Sequence, residues 1–327
     1  MNGWPMEVVP VLATLWQGVG WPLLRLIVLV SVGLLVGNFI EALNWTHAMA
    51  RLASPLVRFG HLSDTAGASF SMAFFSGVAG NTMLAEAYDQ GRMSRRELVL
   101  ANLFNSMPTY FLHLPTMFFV TVPLIKGTAL VYVGLTLLAA VLRTGLVLVI
   151  GRLLLPAPAE GCVTCRLDSA RTRDWREALN RTWSRFRQRI RRILRITIPV
   201  YLAFFLLGRF GFFRWLEAGL AGRVDGLGWF RPEAWGIVVF QLAAEFTAGL
   251  AAAGALLETG ALAPREIVLA LLAGNVLSSP VRGIRHQFPF YAGIFNPRLA
   301  GELILCSQGF RAASLILVAV GYALLTS

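Results

Sequence analysis

Charge is scarce in this 327-residue chain: Asp, Glu, Lys and Arg make up 14% of it, and 17 acids face 29 basic residues. An ordinary soluble domain carries nearly twice that charged fraction, so a soluble fold is hard to sustain. Nucleotide-binding loops of the GxxxxGK[ST] type, HExxH and GxSxG are all missing, so energy for any pumping has to come from an ion gradient or another subunit. No nucleophile and base stand at a recognisable spacing, which makes an enzyme the least expected class. The 3 cysteines cannot build a disulfide framework. Cys162 and Cys165 form one CxxC, half of a tetrahedral zinc site, so a metal or redox role and an incidental pair both stay open. No cofactor or metal site is assigned, and any coupling ion is unidentified. Nor is there a positively charged start or an A-x-A cleavage site, so residues 1–20 read as an interfacial segment and not as a signal peptide.

What the chain has is apolar length: 56% of it is hydrophobic and the mean hydropathy is +0.65. Stretches near 23–40, 66–88, 97–124, 128–155, 196–213, 234–257, 266–277 and 299–325 mostly approach the ~20 residues a helix needs to cross ~30 Å of hydrocarbon. Short alternating segments of a membrane barrel are absent, which leaves helices. The chain therefore reads as an all-α polytopic protein of the cytoplasmic membrane.

The basic excess is concentrated in the middle. Between Cys165 and Ile196 there are arginines at 166, 171, 173, 176, 181, 185, 187, 189, 191, 192 and 195, against Asp168, Asp174 and Glu177. Between membrane halves, the positive-inside rule makes 156–195 a cytoplasmic linker against anionic headgroups, not a nucleic-acid site. Within it Trp183, Phe186, Ile190 and Leu194 recur at helical intervals, predicting an interfacial amphipathic helix.

The two sides of that linker are written alike. Gly91-Arg92-Met93-Ser94-Arg95-Arg96-Glu97-Leu98-Val99-Leu100-Ala101 returns as Gly260-Ala261-Leu262-Ala263-Pro264-Arg265-Glu266-Ile267-Val268-Leu269-Ala270. Val78-Ala79-Gly80 lines up with Thr247-Ala248-Gly249, and Arg143 with Arg311. Residues 21–155 and 196–327 are thus two repeats. A full crossing at 66–88 puts Arg51 and Arg58 outside while Arg92, Arg95 and Arg96 fall inside. A re-entrant hairpin turning at Ser76-Gly77-Val78-Ala79-Gly80-Asn81 puts all five on one side and obeys the charge rule better. It leaves about three spanning helices per repeat, an odd number, so the repeats are inverted. A straight helix whose glycines serve close packing is the alternative.

In each repeat the third segment is interrupted: Asn102, Asn105, Ser106, Pro108, His113 and Pro115 in the first, Asn275, Ser278, Ser279, Pro280, His286 and Pro289 in the second. Proline removes a backbone donor, so each helix should break after its Asn/Ser cluster. Such a break lines a cavity or is satisfied by neighbouring side chains, and the alternative is that Asn and Ser join helices. Arg143 and Arg311 lie mid-span, where even the gentlest insertion scale charges about 2.5 to 3.5 kcal/mol, so both must face inward and find partners. They bind an anionic or carbonyl-rich ligand while Glu245 takes a proton, a cation or a ribose-like hydroxyl, or they hold freed carbonyls with Glu245 neutralising one of them. Glu245 aligns with Ser76 and is the acid most deeply set in apolar sequence. His113 and His286 are titrating or core residues.

Gly67-Ala68-Ser69-Phe70 through Gly91, Ser94-Arg95-Arg96-Glu97-Leu98 and Asn102 to Pro108 resemble the Gate, or nucleoside-recognition, domain family, and the second half looks like a diverged second copy. The likeness covers roughly residues 30–155 and 197–325. It implies a helical fold related to concentrative nucleoside transporters, ferrous-iron permeases and spore-maturation membrane proteins, with hairpins and broken helices around a central site. In the iron-permease branch a cysteine stands beside a proline; here Asn105 and Ser279 hold the polar clusters and Cys306 is remote. In the nucleoside branch, hairpin side chains hold base and ribose, and Asn81, Thr82, Glu245 and Thr247 are the residues of that kind here. The resemblance implies a transporter or permease for a small polar solute, nucleoside-like by analogy. Its alternatives are a scaffold docking a soluble partner through the linker, and a metal-ion permease. The bilayer and the solute are the expected partners, with a homo-oligomer left open.

Overall fold

A computed structural model of the protein describes residues 53–157 and 231–326, apart from 75, 244 and 245, with scattered positions at 16–35 and 176–206. Among the described residues all regular structure is helical: α1 (Ala53–Phe59), α2 (Asp64–Ala73), α3 (Gly77–Asp89), α4 (Arg95–Phe104), α5 (Ser106–Ile125), α6 (Thr128–Leu154), α7 (Pro232–Ala243), α8 (Phe246–Glu258), α9 (Pro264–Leu277), α10 (Ser279–Arg282), a π-helical turn Gly283–Gln287, α11 (Phe288–Ala292) and α12 (Pro297–Leu325). Three stretches are long and apolar enough to cross a membrane: Arg95–Ile125, Thr128–Leu154 and Pro297–Leu325. Most of residues 1–52 and 156–195, where the interfacial segment and the linker were expected, lie outside the described residues.

The repeated sequence has repeated structure. α3 and α8 are each 13 residues long. Both end on a glycine at φ +68°, Gly91 and Gly260. That left-handed conformation costs glycine nothing, and it lets the N–H groups of Arg92 and Ala261 return to the carbonyls of Ala87 and Leu256. The starts of the following helices are held similarly. The Ser94 hydroxyl caps α4 at 3.2 Å from the Glu97 N–H, and Glu266 Oε2 accepts the Ala263 N–H at 2.7 Å.

α2 and α3 form a hairpin. Ser69 Oγ donates to the Gly80 carbonyl at 2.8 Å across 11 residues, which a straight helix would hold about 16 Å apart. A Cβ on Gly80 would stand 2.9 Å from the Ser69 carbonyl, so glycine admits the close approach. The 10 residues of α2 rise only about 15 Å, too short to span. α2 ends at Ala73 and α3 begins at Gly77, so most of the expected Ser76–Asn81 turn lies inside α3. α7 and α8 pair in the same manner, with Gly249 against the Gln241 side chain.

Each hairpin returns to the end of the molecule from which it enters. Ser63, ahead of α2, donates its N–H to Glu97 Oε1 at 3.0 Å, placing Arg58 and Arg92 at one end. Arg231, ahead of α7, donates to the Ala261 carbonyl at 2.9 Å. These are opposite ends. One hydrophobic core gathers the first hairpin with Val147 and Leu148 near the close of α6 and Leu299 and Leu303 near the start of α12. The other gathers the second hairpin with Ala129 and Tyr132 near the start of α6 and Leu315 and Val318 late in α12. Helices α6 and α12 therefore run antiparallel between the two cores. Ion pairs mark the ends: Arg95 with Glu302 at one, Lys126 with Glu258 at 3.7 Å at the other.

The expected helix breaks prove mild. In the first half only Asn105 interrupts, inside the cluster and not after it, and its backbone stays α-helical at φ −62°, ψ −10°. Pro108 falls in the first turn of α5, where a missing N–H costs little, and the helix continues through Pro115 and Pro123. The second half deviates more: Ser278 interrupts, Pro280 lies in the first turn of the four-residue α10, and a π-helical turn follows. Of the expected linker helix, Trp183 stacks on Phe186, Arg187 lies 5.2 Å from the Trp183 ring, and Phe186 and Ile190 pack against the second core.

Candidate functional site

Between the two interrupted segments, midway along α6 and α12, lies a cavity of about 320 Å³. The first half contributes Asn81 of α3, Asn102, Asn105, Ser106, Tyr110 and His113 of the interrupted segment, and Thr136 and Arg143 of α6. Asn275, Arg282, Gln287 and Tyr291 enter from the second interrupted segment, with Ser307, Gln308 and Arg311 from α12. Three arginines and no carboxylate stand among the described lining residues.

Each arginine donates to a neutral side chain. Arg143, 8% exposed, donates from Nε to Ser106 Oγ at 3.2 Å. Arg311 donates from Nη2 to Asn275 Oδ1 at 2.9 Å. Arg282 donates to the same oxygen at 3.4 Å and to Ser278 Oγ at 2.9 Å. Asn275 passes the network across the halves, its Nδ2 donating to the buried Tyr132 hydroxyl at 3.1 Å. Among the described residues neither Arg143 nor Arg311 is bonded to a backbone carbonyl, the alternative to a ligand that the sequence had offered, and the interruptions are too slight to free many carbonyls.

The first half forms a second chain of amides. Asn102 Nδ2 donates to Asn81 Oδ1 at 2.9 Å and to the Tyr291 hydroxyl at 3.2 Å, and Asn105 Nδ2 donates to Ser69 Oγ at 2.6 Å. Across the cavity Gln308 Nε2 donates to Gln287 Oε1 at 2.7 Å. The side-chain oxygens of Asn102, Asn105 and Gln308 have no hydrogen-bond partner among the described residues. Fixed amide donors and acceptors of this kind orient a polar ligand.

Eight of the residues expected from sequence meet at this cavity: Asn81, Asn102, Asn105, Ser106, His113, Arg143, Asn275 and Arg311. Others stand apart. Thr82 is exposed and donates to its own helix at the Val78 carbonyl, 2.9 Å away. Ser76 sits at the hairpin turn. Thr247 is half-buried in α8, its hydroxyl unpaired among the described residues. Ser278 and Ser279 turn their hydroxyls to the Asn275 carbonyl, at 3.3 and 2.9 Å. Glu245 and the side chain of His286 lie outside the described residues.

Sequence reasoning missed Arg282, Gln287, Gln308, Tyr110, Thr136 and Tyr291. Arg282 had a signal, an arginine two residues past Pro280 in a segment already marked as interrupted. Gln308 had another, standing three residues before Arg311, on the same face of α12. Among the described residues no group of three or more His, Cys, Asp or Glu is placed to hold a metal ion.

No family model matches the chain, and no solved structure does. It is similar to three proteins of Methanocaldococcus jannaschii, each described as uncharacterized. MJ0871 is 24% identical over 283 residues, covering 86% of this chain and 87% of that protein. MJ0880 is 22% identical, covering 84% and 89%, and MJ1556 is 23% identical, covering 84% and 86%. The likeness therefore runs across both halves and the linker between them.

Proposed function

We propose that this chain is a multi-pass cytoplasmic-membrane transport protein of the Gate type. It moves a small polar solute, nucleoside-like by family analogy, through the cavity between two inverted repeats. The observation that carries this reading is the cavity's position. A polar, arginine-bearing space lies midway along helices long and apolar enough to span a bilayer, where polar groups are expensive and mark solute pathways. Support for inversion comes from α6 and α12, repeat-related helices that run antiparallel, and from hairpins that enter from opposite ends. Re-entrant hairpins and slightly distorted helices leave irregular backbone only where protein or a cavity covers it.

Uptake into proteoliposomes of nucleosides, carboxylates, phosphate esters and divalent metal ions tests the reading. Accumulation of at least one solute class above protein-free vesicles is expected. No accumulation of any class overturns it.

A further inference from the structure

We infer that, among the small polar solutes proposed above, the cavity recognises those that carry an oxyanion, a carboxylate or phosphate group bound by Arg143 and Arg311, so that a nucleoside-like solute enters as its phosphate ester and not as the neutral nucleoside. The inference deepens the reading of this cavity as a solute site. Its foundation is a mismatch of charge at the point where charge is costliest. Arg143 and Arg311 come from the middles of the antiparallel α6 and α12 and line the same cavity. A guanidinium carries five N–H donors; Arg143 is seen to spend one on the Ser106 hydroxyl and Arg311 one on the Asn275 amide oxygen. Both acceptors are neutral. The ion pairs of Arg95 with Glu302, Lys126 with Glu258 and Arg231 with Glu233 all lie outside the cavity wall.

Among the described residues Arg143 and Arg311 meet only neutral dipoles and no counterion, so an anion entering the cavity gains from both arginines at once. Planar guanidinium groups match the two-oxygen edge of a carboxylate or phosphate. Around them Asn102, Asn105, Tyr110 and Gln308 supply neutral groups suited to hydroxyls or amides on the same molecule. A volume of about 320 Å³ sits at the small end of ligand pockets and suits a dicarboxylate or a phosphate ester.

The test is binding to the detergent-purified full-length protein, followed by calorimetry and thermal unfolding at fixed ionic strength. Inorganic phosphate, succinate and uridine monophosphate are the anionic probes, with uridine as the neutral one and chloride as background. At least one anion is expected to bind saturably and raise the unfolding temperature, with inorganic phosphate separated from the organic anions by which probe binds. Uridine is expected to do neither. Arg143→Gln and Arg311→Gln should each weaken anion binding by about tenfold or more, the loss of a charge-assisted hydrogen-bond pair. Arg143→Lys and Arg311→Lys keep the charge and should retain part of the affinity even where the Gln variants fold poorly. Binding of uridine alone, of no anion at millimolar concentration, or of anions with unchanged affinity in well-folded Gln variants overturns the inference. Anion binding without vesicle uptake refutes transport and leaves the oxyanion site standing; uptake of a neutral nucleoside without anion binding does the reverse.

Discussion

Arg311 and Asn275 are joined by a 2.9 Å hydrogen bond that ties the middle of the last long helix to the interruption of the one before it. Asn275 then donates to Tyr132 in the other half, so one amide connects a half-buried cation with the first half of the chain. Changing Asn275 to Asp gives Arg311 a carboxylate partner inside the protein. The variant is expected to unfold at a higher temperature than the parent and to lose anion binding, because the internal carboxylate occupies the guanidinium. Thermal unfolding with and without the bound anion measures both effects, and undiminished binding would count against the oxyanion site.

Removing the far end of the same relay has a smaller effect. Tyr132→Phe keeps the buried ring but deprives the Asn275 N–H of its acceptor, and should destabilise by about 1 to 2 kcal/mol. Denaturation in mixed micelles reads this, with an unchanged midpoint showing that the hydroxyl contributes nothing.

The first hairpin depends on the approach at Gly80. Gly80→Val places branched carbons against the Ser69 carbonyl and should destabilise by about 1 to 3 kcal/mol. Gly134→Ala in α6, where an added Cβ meets nothing within 4 Å, is the matched control and should stabilise by up to about 1 kcal/mol. Equal melting temperatures for the two variants would remove the packing argument.

Topology is accessible to chemical labelling. Because Ser63 and Glu97 are bonded, single cysteines replacing Arg58 and Arg92 should react with an impermeant thiol reagent from the same side of sealed vesicles. A cysteine replacing Lys126, at the far end of α5, should react from the other. Labelling of the first two from opposite sides would sink the re-entrant hairpin and the inversion together.

Sequence by itself determined the helical class, the matching segments on either side of the linker and the polar interruptions. Each is a one-dimensional property: apolar length is counted along the chain, Gly91 and Gly260 recur with their flanks, and an Asn/Ser cluster ahead of a proline is local. It also required Arg143 and Arg311 to face inward, since lipid offers a guanidinium no partner. Only the tertiary structure decided which partners they meet. Ser106 and Asn275 are 37 and 36 residues from their arginines, and Tyr132 is 143 from Asn275. No periodicity reports contacts between residues so far apart along the chain. Thr82 shows the converse: it shares a polar cluster with Asn81, yet one position along α3 turns its hydroxyl back to Val78 and away from the cavity. The severity of the breaks was likewise a tertiary outcome. Proline removes one backbone donor wherever it stands, but whether the helix stops there depends on the turn it occupies and on what packs around it, and α5 runs on through Pro115 and Pro123.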